Sequence, residues 1–553
     1  MKRITNWNEI NWKRCSIELK ILQNKLAIAS SNGVYDQTCK QLQAQIVKSF
    51  AARALAVKSV VSKGGKKSPG VDNVIWDSAH KKAKAIEQLL NTANYKAQPV
   101  KRVEIPKKEI GDMRPLGIST MFDRAMQKLW HYALDPIVES NSDQRSFGFR
   151  KRRSVKDAAV YIRLNCGQLH GKRIIGNLDI RKFFDTLNHR WILQNVSMNK
   201  KVLEQFLKAG ILKNDNQYTE SIRGVPQGGV ISPTIANAAL NGLEKLVEDV
   251  YKCQVVRYAD DFLILADCEK VILEKVLPKV NSFLDERGLE LNSSKSRIIR
   301  IDDGFNYLGY HFKEYPDATR VKGTKKGIFV VEPTDENVSR VLKSCRDIIK
   351  NHQNASSGFL IMKLNPILRS WAEHYKSFVS SRIFRKISKA VYVALIHWIK
   401  KKHRNVSIKL LIKRYFKTVK VGKKVNNWVF YGNDHRGNEI TLFQIASVNI
   451  VRHSMIPILK PINPYLLKDE KAFLARNNKE LKNTALFDNR KKRLILKQQG
   501  LCWHCEVSFE TTDKIELHHV IPVKNKGSNM LKNLRAVHKE CHNQITYGNK
   551  KVK

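Results

Sequence analysis

Acidic residues are scarce in this chain. Asp plus Glu number 50 against 100 Lys plus Arg, a formal net charge of +50. Between Glu373 and Asp434 there is no carboxylate at all. Residues 371–430 hold 16 basic side chains and one Glu. A solvated helix face mixes signs, so a one-sided run of this length points to phosphate contacts. The imbalance excludes an acidic, solvating tail protein and makes a polyanionic partner the leading idea. Long apolar runs are missing too. The longest worth noting, Val391–Ile399, is too short to span a bilayer. The opening MKRITNWNEINWKRCS has no apolar h-region, and its early Glu9 and Glu18 argue against a transit peptide. A protein that is not secreted and needs no membrane is expected. Cysteine offers no disulfide framework: Cys15, Cys39, Cys166, Cys253, Cys268 and Cys345 are scattered, and read as reduced and mostly buried. No internal repeat is present, and Gly64-Gly65-Lys66-Lys67-Ser68 lacks the spacer of a phosphate-binding Walker loop.

The 553 residues are enough for several domains. Apolar residues recur at helical spacing through Ile17, Leu19, Leu22 and Leu26, and again through Leu42, Ile46, Phe50 and Leu55. A basic Gly- and Pro-containing loop, Val60–Asp72, follows. From about 75 to 310 helical stretches alternate with β-branched runs, an α+β pattern. Residues 335–450 read as helical and basic, with interleaved aromatics such as Trp371, Trp398 and Trp428 available for core or for base stacking. Pro457, Pro461 and Pro464, with a polar stretch after them, mark a linker. The expected division is a helical extension at 1–75, a fold of mixed helix and strand at 76–315, a helical basic region at 330–450, a linker at 451–490 and a small module at 491–553.

Two segments carry chemistry. In RIIGNLDIRKFFDTLN an apolar strand rises to Asp179. In CQVVRYADDFLILAD two strand-forming runs flank Tyr258-Ala259-Asp260-Asp261, a hairpin with two carboxylates at its tip. Clustered carboxylates repel one another unless cations lie between them. A metal pair in such a cluster can clamp both oxygens of a phosphoryl transfer.

The surroundings of these segments resemble the reverse transcriptases, and within them the group II intron-encoded proteins. The resemblance rests on Ser68–Asp72 (SPGVD), Arg114–Thr120 (RPLGIST), Phe147–Ser154 (FGFRKRRS), the Asp179 segment, Gly224–Asn237 (GVPQGGVISPTIAN), YADD, Leu289–Ile298 (LELNSSKSRI) and Phe305–Tyr310 (FNYLGY), in the family's order. It implies a right-hand polymerase with fingers and palm at 76–315 and a helical thumb. Asp179 and Asp260 would bridge two Mg²⁺ ions, with Asp261 completing the set. Arg114 and Lys107 would neutralise the incoming dNTP. Lys108 rivals Lys107, because IPKKEIGDMR is one residue longer than usual. Phe184 stands where the family places a gate against the ribose 2′-hydroxyl; the competing reading is a core phenylalanine, since Phe183 is adjacent. Gln227 lies in a Gly-rich turn near the base pair. Lys295 is the candidate general acid for pyrophosphate, against an ordinary surface lysine.

Asn365–Lys376 and Ala394–Asn405 resemble the family's thumb and maturase domain, which implies a grip on the intron RNA. In the last segment, Cys502-x2-Cys505 and His538-x2-Cys541 form a Cys₃His set suited to a structural Zn²⁺. His538 and His542 share a helix face, so His538 could side with a second metal instead. His518-His519, Asn533 and His542 resemble the HNH ββα-metal motif. The resemblance implies His519 as general base, His518 and His542 on a divalent ion, and Asn533 bracing the loop. A further histidine found in some HNH sites is replaced by Thr546. The implied protein joins RNA-directed DNA polymerase, splicing maturase and DNA endonuclease, with intron RNA and target DNA as partners. The rival reading is an RNA-binding splicing cofactor with idle sites; a homodimer is left open. The family and the Lys, Asn and Ile bias point to a bacterial cytoplasm or an organelle.

Overall fold

Helix α1 (Trp12–Ala29), α2 (Gln37–Lys48) and α3 (Phe50–Ser62) begin where polar side chains cap free backbone amides. Asn11 accepts from Arg14 N, and Asp36 accepts from Cys39 N at 2.8 Å. Leu19, Leu26 and Ile46 turn inward, whereas Ile17 is 49% exposed, so the apolar stripe is narrower than its spacing implied. The computed structural model describes residues 6–62, 68–106, 113–167, 171–213, 217–249, 253–315, 327–421, 424–435, 437–458, 460–510 and 513–547. Among them no helix is long and apolar enough to cross a membrane.

α4 (Ala79–Gln88), α5 (Met121–Ser140) and α6 (Val155–Cys166) follow, α5 lying against α1 and α3. α6 starts on a capping box in which Ser154 and Asp157 exchange hydrogen bonds. The first strands are β1 (Val100–Pro106), β2 (Met113–Ile118), β3 (Ile174–Leu178), β4 (Ile211–Leu212) and β5 (Tyr218–Thr219). β1 pairs with β2 antiparallel and with β4 in parallel, and β5 closes that sheet. The central sheet runs β6-β7-β3-β8, with β6 (Gln254–Tyr258), β7 (Asp261–Ala266) and β8 (Arg297–Arg300). Every pairing in it is antiparallel. Phe262 to Ala266 are buried throughout, as expected of a strand covered on both faces.

A three-stranded sheet, β9 (Phe305–Tyr307), β10 (Tyr310–Tyr315) and β11 (Ile328–Pro333), leads into the helical region. Its helices are Asp335–Asn351, Ser357–Tyr375, Ser381–Lys402 and Ile408–Tyr415. The helical expectation for this region holds to Tyr415. Beyond it lies an antiparallel sheet of β12 (Phe416–Val421), β13 (Lys424–Asn433) and β14 (Glu439–Thr441). The cause is local: Val, Thr, Phe, Trp and Tyr dominate there, residues that fit a pleated surface.

The stretch read as a linker is a packed strap. It contains the helix Glu470–Asn483. Arg476 Nη2 lies 2.9 Å from both oxygens of Asp157, and His453 Nε2 lies 3.1 Å from one of them. Asp157 is fully buried, so the Arg476 cation neutralises it where water cannot, and His453 adds a hydrogen bond. Tyr465 donates to Asp135. The strap seats the last module on the body: Asn477 donates to Phe509 O at 2.6 Å, Arg152 to Ser508 Oγ at 2.8 Å, and Lys13 pairs with Glu506 at 2.8 Å. Phe509, Leu534, Ala536 and Val537 belong to the same apolar core as Leu26, Val57 and Leu129. In the module, β15 (Ile515–His519) pairs antiparallel with β16 (Leu534–His538), and the helix Lys539–Tyr547 follows. All nine cysteines are unpaired, and among the scattered six only Cys268 is exposed.

Candidate functional site

Register alone brings the central carboxylates together. Leu178 of β3 faces Phe262 of β7, so Asp179, one residue on, stands opposite Asp261. Tyr258 faces Asp261 across the β6–β7 hairpin, whose turn is Ala259-Asp260. Ala259 has φ +61, a left-handed conformation unusual for alanine. Four groups hold the turn. Arg257, with no exposed surface, donates to Glu244 Oε1 at 2.5 Å, to Asn237 Oδ1 at 3.3 Å and to Ala259 O at 3.4 Å. Asn237 donates to Gly148 O at 2.9 Å. Gly148 packs under the turn so closely that a Cβ there would lie 2.3 Å from Ala259 N. From the other side Tyr307 donates to Asp261 O at 2.9 Å.

Asp179 is fixed by the 292–296 segment. Asn292 donates its amide N–H to Asp179 O at 2.8 Å and its side chain to Oδ2 at 3.1 Å. Asp179 N donates to Ser296 Oγ at 3.4 Å. Withdrawal of water pushes the Asp261 carboxyl up to about 7, helped by the charges of Asp260 and Asp179 and opposed by Lys295. The outer edge of Asp261 reaches solvent, which screens part of this effect. Asp179, Asp260, Asp261 and Lys295 therefore share one electrostatic site. Carboxylates crowded in this way are the donor set that hard divalent cations take.

Phe183 is the core phenylalanine, 2% exposed, while Phe184 is half-buried and edge-on to Phe149 at 6.5 Å. The Phe184 carbonyl accepts from Val225 N at 2.6 Å, placing it beside the turn that carries Gln227. Gln227 O accepts from Gly117 N of β2 at 2.7 Å. Arg114 is in the same strand, opposite Ile105. Lys107 and Lys108 lie outside the described residues.

In the last module, ligand atoms of Cys502, Cys505, His538 and Cys541 all lie within 4.8 Å of one another. They form the one such cluster among the described residues. His538 Nδ1 is 3.4 Å from Cys505 Sγ and its Nε2 is 3.3 Å from Asp513 Oδ2. The sulfur and carboxylate partners overcome burial and hold His538 up at about 11. Hydrogen bonds from Cys505 and Cys541 pull the Cys502 thiol below its ordinary range. Three soft sulfurs and one imidazole nitrogen at this spacing fit a tetrahedral metal, which takes the ring in its neutral form, with Asp513 on the ring's other nitrogen. His538 thus sits with the cysteines, away from the second histidine group.

That group is His518 and His542, with ring centres 5.4 Å apart. His542 Nδ1 meets Glu516 Oε2 at 2.7 Å, and Trp503 stacks on His518 at 5.7 Å. His519 Nε2 meets Asn529 Oδ1 at 2.8 Å. Asn533 is buried, accepts from Ile521 N at 2.8 Å, and donates to Ile521 O and Ser528 O at 3.0 and 2.9 Å. Asn292, Tyr307, Arg257, Glu244, Asp513, Glu516 and Asn529 were not singled out in the sequence. Arg257, Asn237 and Asn292 lie within the quoted motifs, a signal that was there to follow.

Four family models match the chain in series: N-terminal domain of reverse transcriptase at 7–89, reverse transcriptase (RNA-dependent DNA polymerase) at 105–312, the group II intron maturase-specific domain at 338–416 and HNH endonuclease at 502–548. Among curated relatives, Protein YkfC of Escherichia coli is 29% identical over 303 residues, 46% of this chain and 79% of that one. The putative COX1/OXI3 intron 2 protein of Saccharomyces cerevisiae is 26% identical over 375 residues, 56% of this chain and 42% of that one. Group II intron-encoded protein LtrA of Lactococcus lactis is 34% identical over 200 residues, 35% of this chain and 33% of that one. The chain therefore spans less than half of the last two relatives. Matches to reverse transcriptase, group II intron maturase-specific and HNH endonuclease domains thus follow one another along the chain, which is similar to the group II intron-encoded proteins.

Proposed function

We propose that this protein copies RNA into DNA at the Asp179–Asp260–Asp261 site, assists splicing of an intron RNA through its basic helical region, and cuts DNA with its HNH module. The observation that carries the polymerase reading is the register that sets Asp179 against the Tyr258–Asp261 turn, with Asn292 fixing Asp179. Two Mg²⁺ ions at such a site supply acidity to a primer 3′-hydroxyl and charge balance to a triphosphate. Asp179, Asp260 and Asp261 would hold them. Phe184 would sit against the nucleotide ribose, and the Gln227 turn against the template pair. Arg114 with Lys107 would neutralise the triphosphate, and Lys295 would protonate departing pyrophosphate. The substrates are dNTPs, and the cellular setting is a bacterial cytoplasm or an organelle.

The maturase reading rests on charge: a carboxylate-free stretch in the maturase-specific region neutralises phosphates and leaves splicing chemistry to the RNA. In the HNH module Cys502, Cys505, His538 and Cys541 would hold Zn²⁺ as a structural pin. His518 and His542 would hold a divalent ion, which stabilises charge at a scissile phosphate. His519 would take the proton of attacking water, with Asn529 and the Asn533-braced loop orienting it.

Asp260→Asn tests the division of labour. Primer extension on an RNA template should fall by at least about 10³-fold, since a metal-holding carboxylate is lost. Splicing of the cognate intron should persist. Equal loss of splicing in a folded variant would refute separate roles.

A further inference from the structure

The loop that leaves β15 directly after His519 is both apolar and exposed. Val520, Ile521, Val523 and Met530 are 44%, 54%, 60% and 64% accessible. Single exposed aliphatic residues are ordinary, but four on one loop mark a contact surface. The loop is also built to keep its shape. Asn533 grips Ile521 at both N and O and Ser528 at O. Pro522 O accepts from Asn525 N at 2.8 Å and from Gly527 N at 3.1 Å. Lys526 is left-handed at φ 60, and a Cβ on residue 527 would lie 1.8 Å from Ile521 O, so glycine is required. The two ends meet on Asn533: Val520 N donates to Asn533 O at 2.9 Å, and Asn533 N donates to Met530 O at 3.0 Å. Apolar side chains held outward by a fixed loop lose little freedom on docking.

Charge and position identify the occupant. No acidic residue occurs from Leu517 to Lys539, and Lys524, Lys526 and Lys532 are exposed. A polyanion fits this surface. The loop shares its Asn529 with His519, so it must meet whatever the histidine acts on. Aliphatic side chains, unlike aromatic platforms for single strands, act on duplex DNA by entering between base steps and kinking it.

We propose that the Val520–Met530 loop is a wedge that inserts Ile521 and its apolar neighbours into duplex DNA beside the HNH centre, unstacking one base step. This rests on the reading of HNH as a DNA nuclease, and adds that the module bends its substrate. Deformable pyrimidine–purine steps next to the cut are then favoured.

The test uses the full chain and a duplex spanning the joined sequences that flank its intron, with 2-aminopurine at successive positions. Binding is read with Ca²⁺ in place of Mg²⁺, and cutting with Mg²⁺. The wild-type chain should raise 2-aminopurine fluorescence several-fold at one step. The exposed double variant Ile521→Ala/Val523→Ala should abolish that rise and slow cutting by at least about fivefold, because the unstacking energy is no longer supplied. His519→Ala should keep the rise and stop cutting, which separates wedge from nuclease. If a wild-type chain that does not cut still gives the rise, the wedge stands and the nuclease reading fails. Wild-type binding without a rise at any position overturns the wedge. So does a double variant that unstacks and cuts like the wild type. Loss confined to binding of phosphatidylglycerol vesicles, or to self-association in sedimentation, also overturns it.

Discussion

Arg257→Met offers the sharpest separation of stability from catalysis. Arg257 and Glu244 have no exposed side-chain surface and meet at 2.5 Å. At an effective dielectric constant near 20, two unit charges about 4 Å apart attract by about 4 kcal/mol. Removing one leaves the other stranded in the core, which costs about 3–5 kcal/mol. That is a large part of the ~5–15 kcal/mol that holds a typical domain. The single variant should therefore melt much earlier, by calorimetry or by circular dichroism. Replacing both, as Arg257→Met/Glu244→Leu, fills the space with apolar groups of similar volume and should recover most of the stability. Polymerase activity should not recover. Arg257 also donates to Ala259 O and to Asn237, the groups that keep the carboxylate turn left-handed. Primer extension per folded molecule should stay down by about 10²-fold, the loss expected when a reacting group moves by an ångström. A double variant that extends primers at the wild-type rate would reduce the network to a packing device. A single variant that melts with the wild type would show that the pair is not buried as described.

The strap makes a pH-dependent prediction. Burial alone would raise Asp157, but the His453 hydrogen bond and the Arg476 charge override it and hold the carboxyl at about 2. A depressed folded value stabilises the fold above the unfolded value near 3.9, and this is lost as pH falls through the folded one. The contribution is about 2–3 kcal/mol. Asp157→Asn should thus be less stable than wild type at pH 7, with the gap closing between about pH 4 and 2 in denaturant titrations; a pH-independent gap would remove the ion pair from the account. Metal analysis of the purified chain should find about one zinc. Cys505→Ser should lose it, together with DNA nicking; a metal-free chain that nicks normally would contradict the structural pin.

The carboxylate cluster was legible in the sequence because its geometry is local. Asp179 ends a strand, Asp260 and Asp261 form a hairpin tip, and alternation fixes which faces meet. The supporting residues were harder to read because their partners are distant in sequence. Asn292 reaches Asp179 across 113 residues, and Arg476 reaches Asp157 across 319. The strap was taken for a linker because three prolines and a polar run are the usual marks of one. Its order comes from an arginine and a histidine that find a buried carboxylate, which no local pattern records. The same holds for His538, whose helical spacing to His542 suited two sites until Asp513 and the sulfurs placed it. β12–β14 was missed for another reason: the lysine-rich background hid a β-branched and aromatic alternation.

The central claim is that Asp179, Asp260 and Asp261 hold the metal ions of nucleotide addition. Iron-directed cleavage tests it most directly: Fe²⁺ replaces Mg²⁺, and ascorbate with peroxide generates radicals at the bound ion. Backbone cuts should cluster at residues near 179, 260 and 292–295, and should disappear in Asp179→Asn. Cuts elsewhere, or cuts at these positions that survive the substitution, would contradict the account.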